Sequence, residues 1–319
     1  MNLSNEISQE VSRAEQRIRP YIKETPLEYS TYLSQLTGAG VWLKLENLQH
    51  TGSFKLRGAM NKLLTLGEEQ RPVVTASTGN HGAGVAFGLK ALKRPGLIFV
   101  PENASPSKIE AITRLGAEIR AHGSNCLETE IYAQEYAGRN GLTYISAYND
   151  PAVIAGQGTI GRELERQTSR IDALFASVGG GGLISGIACY LRSQQTNPLS
   201  ILGCLPENSP EMALSVEAGK FIEFEPKPTL SDGTAGGFER GAITYELCRE
   251  LVDYYVLVSE EEIAEAMRRM IETHHLLIEG SAGVAVAGFL KAQERFRGKN
   301  VVIVICGANI SLSTLKMIL

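Results

Sequence analysis

The sequence predicts an α/β fold built on mostly parallel sheets. Short β-branched runs alternate with helical runs from residue 71 to 149, and the alternation resumes on a larger scale from Ile154. The 33 glycines among 319 residues fit a fold with many strand-to-helix turns. A content of 43% hydrophobic and 21% charged residues suits a soluble globular protein of one or two domains with room for a full core.

Residues 3–21 read as a charged helix ending before Pro20, and Gly40 to Glu46 as a strand. Trp42, the single tryptophan, is assigned to packing. Asn47 to Thr51 form a loop. Leu56, Ala59, Met60, Leu63 and Leu64 fall at i, i+3, i+4, i+7 and i+8, one apolar helix face, with Ser53 placed to cap it. Strands follow at Val73–Ala76, Gly96–Pro101, Glu118–Ala121 and Thr143–Ser146. Between them lie helices at Asn80–Lys93 (Ala83, Ala86, Phe87 and Leu92 inward), Ser107–Leu115 and Cys126–Asn140. The second half reads as helix Ile160–Gln167, buried strand Ala173–Val178, strand Ser200–Leu205 and a helix near Pro210–Ala218. A strand within Leu251–Val258, helices Glu260–His274 and Ser281–Phe296, and a β-branched strand Asn300–Cys306 complete it. There is no internal repeat and no low-complexity tract.

Two stretches carry chemistry. Lys55 falls in the first turn of its helix, where the positive end of the helix dipole disfavours a charged amine. The same misfit would lower its pKa and make it a better nucleophile. The alternative for this stretch alone is an ordinary exposed lysine. The second stretch is Gly179-Gly180-Gly181-Gly182, between the strand at Ala173 and the apolar run from Leu183. A glycine-only turn at a strand-to-helix junction leaves several amides unshielded, an anion cradle suited to phosphate. Its spacing matches neither a dinucleotide fingerprint nor a Walker loop. A primed lysine and a phosphate cradle together point to pyridoxal phosphate.

A net charge of -4 gives no reason to expect nucleic acid or an anionic membrane as partner. No apolar run approaches a membrane span, and Met1 to Tyr21 shows no signal-peptide core. The five cysteines show neither metal spacing nor a disulfide framework, and a reducing cytoplasm is the simplest setting.

The chain resembles the serine/threonine dehydratase and serine racemase branch of the fold-type II pyridoxal-phosphate enzymes, over nearly its whole length. The resemblance rests on Lys44–Gln49 leading into Gly52–Ala59, on Ser77–Gly82, Pro151–Thr159, Gly179–Gly182, Glu279–Gly283 and Cys306–Asn309, in family order. Within the branch, Pro228–Gly237 most resembles the hydroxyectoine-utilisation dehydratases. The resemblance implies two open, mostly parallel three-layer α/β/α domains with the cofactor in the cleft between them. Residues 1–70 and 150–319 would form the large cofactor-binding domain, and 71–149 the small inserted domain. It also implies a homodimer and a small amino acid as substrate. No further domain follows Leu319 in the sequence, so control by a separate regulatory domain is not expected.

By that resemblance Lys55 carries pyridoxal phosphate as a Schiff base and later removes the substrate α-proton. Phe54 stacks near the ring edge, and Gly179, Gly180, Gly181, Gly182 and Leu183 hold the phosphate. Ser77, Thr78, Gly79, Asn80 and His81 grip the substrate carboxylate, and Asn80 also bonds the cofactor's phenolic oxygen. Glu279 lies near the ring or the leaving group. Cys306 stands where the family usually has serine or threonine facing the pyridine nitrogen. Cysteine is a weaker donor, so the ring is a weaker electron sink, which favours β-elimination.

The position of Thr78 is a serine acid/base in racemases, and threonine is bulkier and stiffer. The racemase metal site begins with a glutamate before a proline, where this chain has Leu205. Glu207 and Glu211 do not restore the pattern, so no metal is expected. The expected reaction is loss of water and ammonia from a β-hydroxy amino acid to give a 2-oxo acid, with the cofactor phosphate as the family's source of the proton for the leaving hydroxyl. Racemisation of serine- or aspartate-type substrates, β-replacement, and a cofactor-binding protein without catalysis are the other readings.

Overall fold

The computed structural model describes residues 2–67, 71–104, 106–194 and 197–319, without the side chains of 106–108 and 111. The expected domain boundary at 70/71 falls at residues 68–70, outside the described ones. In chain order the elements are α1 (Leu3–Ile18), β1 (Leu27–Tyr29), α2 (Thr31–Thr37), β2 (Gly40–Lys44), α3 (Lys55–Thr65), β3 (Val73–Ala76), α4 (Asn80–Leu92) and β4 (Gly96–Val100). Then come α5 (Pro106–Thr113), β5 (Glu118–Ala121), α6 (Cys126–Arg139), β6 (Thr143–Tyr144), α7 (Pro151–Gln167), β7 (Ala173–Ser177), α8 (Gly182–Gln194) and β8 (Ser200–Pro206). The chain ends with α9 (Glu211–Ala218), α10 (Ile243–Leu251), β9 (Tyr254–Val258), α11 (Glu260–His274), α12 (Gly280–Ala292), β10 (Asn300–Val304) and α13 (Leu312–Ile318).

The strands form two sheets, of order β1-β2-β10-β7-β8-β9 and β5-β4-β3-β6. Every pairing is parallel except β1 on β2, as predicted for this α/β class. Strand β10 pairs Val301 with Val41 on one side and Ala173 on the other, so both ends of the chain meet in one sheet. The smaller sheet draws only on residues 73–144. Trp42 packs edge-on against Tyr29 at 5.1 Å, the packing role expected.

Several elements differ from the sequence reading. Helix α7 starts at Pro151, capped by Asp150, rather than at Ile160. Its glycines lower helix propensity, but the packing demands them. A Cβ on Gly156 would lie 2.6 Å from the Arg57 carbonyl, and one on Gly186 of α8 2.3 Å from that of Ile154. Ser53 does not cap α3: Phe54 occupies the cap without a side-chain bond, and the Ser53 hydroxyl is buried with no partner. The core face of α4 is Val85, Ala86 and Leu89, while Ala83, Phe87 and Leu92 are half-buried. Elements β1, α2, α10 and α13 had no counterpart in the sequence reading.

A buried ion-pair network anchors α3. Arg57 is fully buried and donates two bonds of 2.8 Å to the Glu46 carboxylate and two of 2.8 Å to that of Glu163. Lys44 adds a 2.6 Å bond to Glu163. Burial opposes the Glu163 charge, but Arg57 and Lys44 hold its pKa down at about 2. Removing one partner leaves buried charge uncompensated. Glu163→Gln should therefore cost ~3–5 kcal/mol in denaturant unfolding. The folded pKa lies below the unfolded value of ~4.3, so this contribution is complete above that value and is lost as pH falls toward the folded one. The difference in midpoint between wild type and variant should shrink on acidification.

Candidate active site

The C-terminal ends of β3, β7 and β10 open onto one cleft of ≈ 1660 Å³, where open parallel sheets place ligands. All 14 residues singled out from the sequence line it: Phe54, Lys55, Ser77, Thr78, Gly79, Asn80, His81, Gly179, Gly180, Gly181, Gly182, Leu183, Glu279 and Cys306.

Lys55 is the first residue of α3, and its amine donates to the Ala147 carbonyl at 3.0 Å. Its pKa is lowered to about 8 by burial, against the pull of Cys306, Glu130 and Glu279. The depression expected from the sequence is present, but desolvation is its main cause. The Lys55 ammonium lies 5.3 Å from the centre of the Phe54 ring.

Gly179 to Gly182 turn from β7 into α8, whose first amides have no acceptor within the helix. A Cβ on Gly180 would meet the Tyr148 ring at 2.4 Å, and one on Gly179 the Thr234 backbone at 2.9 Å. Gly181 has φ +83°, the left-handed region. Side chains are thus excluded from the turn, leaving backbone amides to face the cleft. The residues fit pyridoxal phosphate: an amine able to lose its proton near neutrality, and an anion cradle at a helix N-terminus in the same cleft.

Across the cleft, Asn80 begins α4 and donates its amide to both Glu279 oxygens at 2.9 and 3.0 Å. Asn309 donates its side-chain amide to Asn80 Oδ1 at 2.6 Å and its backbone amide to Glu279 at 3.0 Å. Burial raises the Glu279 pKa, and these donors oppose that rise. Burial also lowers His81 to about 3, helped by Lys55, so its ring is neutral. His81 Nε2 donates to the Ile145 carbonyl at 3.1 Å, and Nδ1 is buried without a partner. Ser77 Oγ accepts from the Gly79 amide at 3.1 Å, shaping the loop before α4. Cys306 is buried and accepts from Ser177 Oγ at 3.5 Å; burial pushes its thiol pKa well up.

The sequence reading did not single out Tyr148, Thr234 or Glu130, which also line the cleft. Tyr148 covers the glycine turn and accepts from the Glu239 amide at 2.8 Å. Asn309 lay within a quoted motif, yet its bonds to Asn80 and Glu279 needed the fold. Among the described residues, no helix is long and apolar enough to cross a membrane, and no group of three or more His, Cys, Asp or Glu could hold a metal ion.

Residues 18–307 match the family described as "Pyridoxal-phosphate dependent enzyme". The L-threonine ammonia-lyase of Thermotoga maritima is 40% identical over 314 residues, covering 98% of this chain and 77% of that protein. The processed threonine deaminase isoform 2 of Solanum lycopersicum superposes with a TM-score of 0.91 at 35% identity, covering 98% of this chain and 88% of that one. Maize serine racemase gives a TM-score of 0.91 at 32% identity, covering 97% and 95%. A lysine and a phosphate cradle facing one cleft are what that cofactor demands, and the chain belongs to the pyridoxal-phosphate dependent enzymes, in the fold-type II family of threonine dehydratases and serine racemases, as an ammonia-lyase using that cofactor.

Proposed function

We propose that this chain removes water and ammonia from a β-hydroxy amino acid, with Lys55 as the lysine that holds the cofactor and the base that takes the α-proton. The observation that carries this is the Lys55 amine, which lines the cleft with a glycine turn and has its pKa lowered to about 8 by desolvation. When bound, pyridoxal phosphate supplies an electron sink for the substrate α-carbon. Gly179 to Gly182 and Leu183 would bind its phosphate through backbone amides, and Phe54, Asn80, Glu279 and Cys306, which line the same cleft, would hold its ring. The Ser77–His81 loop orients the substrate carboxylate with the amides that open α4. Thr78 sits in that loop and lines the same cleft. Residues 71–149 would move as the small domain and close the cleft against water.

A finer reading of the substrate has its own support. Most of the segment Pro228–Gly237, which carries the resemblance to hydroxyectoine-utilisation dehydratases, lines the cleft. A hydroxylated diamino acid from hydroxyectoine breakdown is therefore proposed beside threonine and serine. The free state of all five cysteines supports a reducing, cytoplasmic setting, and the family resemblance supports a homodimer.

The deciding test is 2-oxo acid release from a panel of threonine, serine and hydroxylated diamino acids. Wild type should turn over at least one, and Lys55→Ala none. Opposite-hand product without ammonia would replace this reading with racemisation. Binding of pyridoxal phosphate to cofactor-free protein, followed by absorbance, should speed up as pH rises through about 8, because only the neutral amine attacks. Gly180→Ala should weaken retention of the cofactor at least tenfold in dialysis, because its Cβ has no space beside the Tyr148 ring, 2.4 Å away.

A further inference from the structure

The β-hydroxyl is a poor leaving group, and an acid must protonate it as it departs. On the face of α6 that meets the cleft, Cys126, Thr129 and Glu130 lie at i, i+3 and i+4, continuing into the buried Ala133 and Ala137. Glu130 is the carboxyl in that group. It is half-buried, lines the cleft with Lys55, and accepts a 3.2 Å bond from the Tyr144 hydroxyl at Oε1. No other hydrogen bond reaches it among the described residues.

We propose that Glu130 is the general acid that protonates the leaving β-hydroxyl. Removal of the α-proton by Lys55 frees the electron pair of the Cα–H bond, which becomes the second Cα–Cβ bond. The Cβ–O bond breaks with its pair on oxygen, the Glu130 proton joins that oxygen, and water leaves. Glu130 is left as a carboxylate and regains a proton from solvent, so no oxidant or reductant is needed.

The surroundings favour the protonated form of that carboxyl. The groups facing Glu130 are Tyr144 from β6, Tyr148 from the loop before α7, Glu239 from the loop before α10 and Lys55 from α3. Burial raises its pKa and Glu239 adds to the rise, while Tyr144 and Lys55 oppose it. Tyr144 and Tyr148 are themselves pushed up by burial and stay neutral. The carboxyl thus holds its proton further up the pH scale than an exposed glutamate does.

The proposal rests on the dehydratase reading above, and one experiment separates the two. The holoenzyme and its Glu130→Gln variant are assayed on L-threonine and L-serine, and on β-chloro-L-alanine, whose chloride leaves without a proton. The variant should lose about 100-fold in kcat on the hydroxyl substrates and less than about threefold on the chloride. Equal loss on both substrate types would make Glu130 merely structural and overturn the proposal. Unchanged activity on threonine and serine would overturn it too, and return the acid role to the cofactor phosphate. Wild type inert on both types would overturn the dehydratase reading, and this proposal with it. If Glu130→Gln fails to fold with cofactor, Glu130→Asp carries the same comparison. Its shorter carboxyl should slow the hydroxyl substrates alone, and equal slowing of both types would again overturn the proposal.

Discussion

The buried guanidinium of Arg57 fixes the geometry on which the site depends. It stands two residues beyond Lys55 in the first turn of α3 and is locked to Glu46 and Glu163 by four bonds. Glu46 follows β2, the strand between β1 and β10 in the larger sheet, and Glu163 belongs to α7. The start of α3 is therefore tied to sheet and helix at once. Arg57 and Lys44 face Glu46 and Glu163, and the polar atoms of the cluster are well satisfied, the condition under which buried ions persist. A lysine whose amine is held out of water needs a backbone that cannot relax toward solvent. This anchor supplies it.

Glycine extends the same constraint to the proposed phosphate cradle. Helices α7 and α8 approach closely enough that a Cβ on Gly158 would sit 2.7 Å from the Gly186 carbonyl. The Gly179–Gly182 turn opens α8, and Tyr148, which covers that turn, precedes the Asp150 cap of α7. Packing of one helix on the other thus sets both the cradle and the ring that lies over it. A methyl group at the crossing would shift the site without touching it, which is why glycines far from the chemistry are as restricted as those inside it.

The parts legible in the sequence were those whose signal is local. Helix α11 has the expected bounds, Glu260–His274, and in the structure Ser259 and Glu262 form a capping box ahead of its amphipathic run. Strands β3 and β5 were read to the residue. The first half of α7 was hidden because its glycines serve a neighbouring helix and local propensity speaks against them. Helix α10 did carry a signal: Thr244, Leu247, Cys248 and Leu251 repeat at helical spacing and are buried. In the cleft, Lys55 and the glycine turn announced themselves through local misfit and composition. Glu130 and Tyr148 look ordinary in the sequence, and only the fold brings them beside Lys55.

The floor of the cleft bears on why an acid at the leaving group matters. The proposed partner of the ring nitrogen, Cys306, is a buried thiol held neutral by burial and by the nearby Glu279 charge. Glu279, near it, is held by Asn80 and Asn309. Neither supplies a strong proton donor to the ring, so negative charge at the substrate α-carbon is only modestly stabilised. Such charge must pass on quickly into the Cα–Cβ bond, and that requires the oxygen to leave as water rather than hydroxide. A weak electron sink therefore places the burden of catalysis on proton delivery at the β-oxygen.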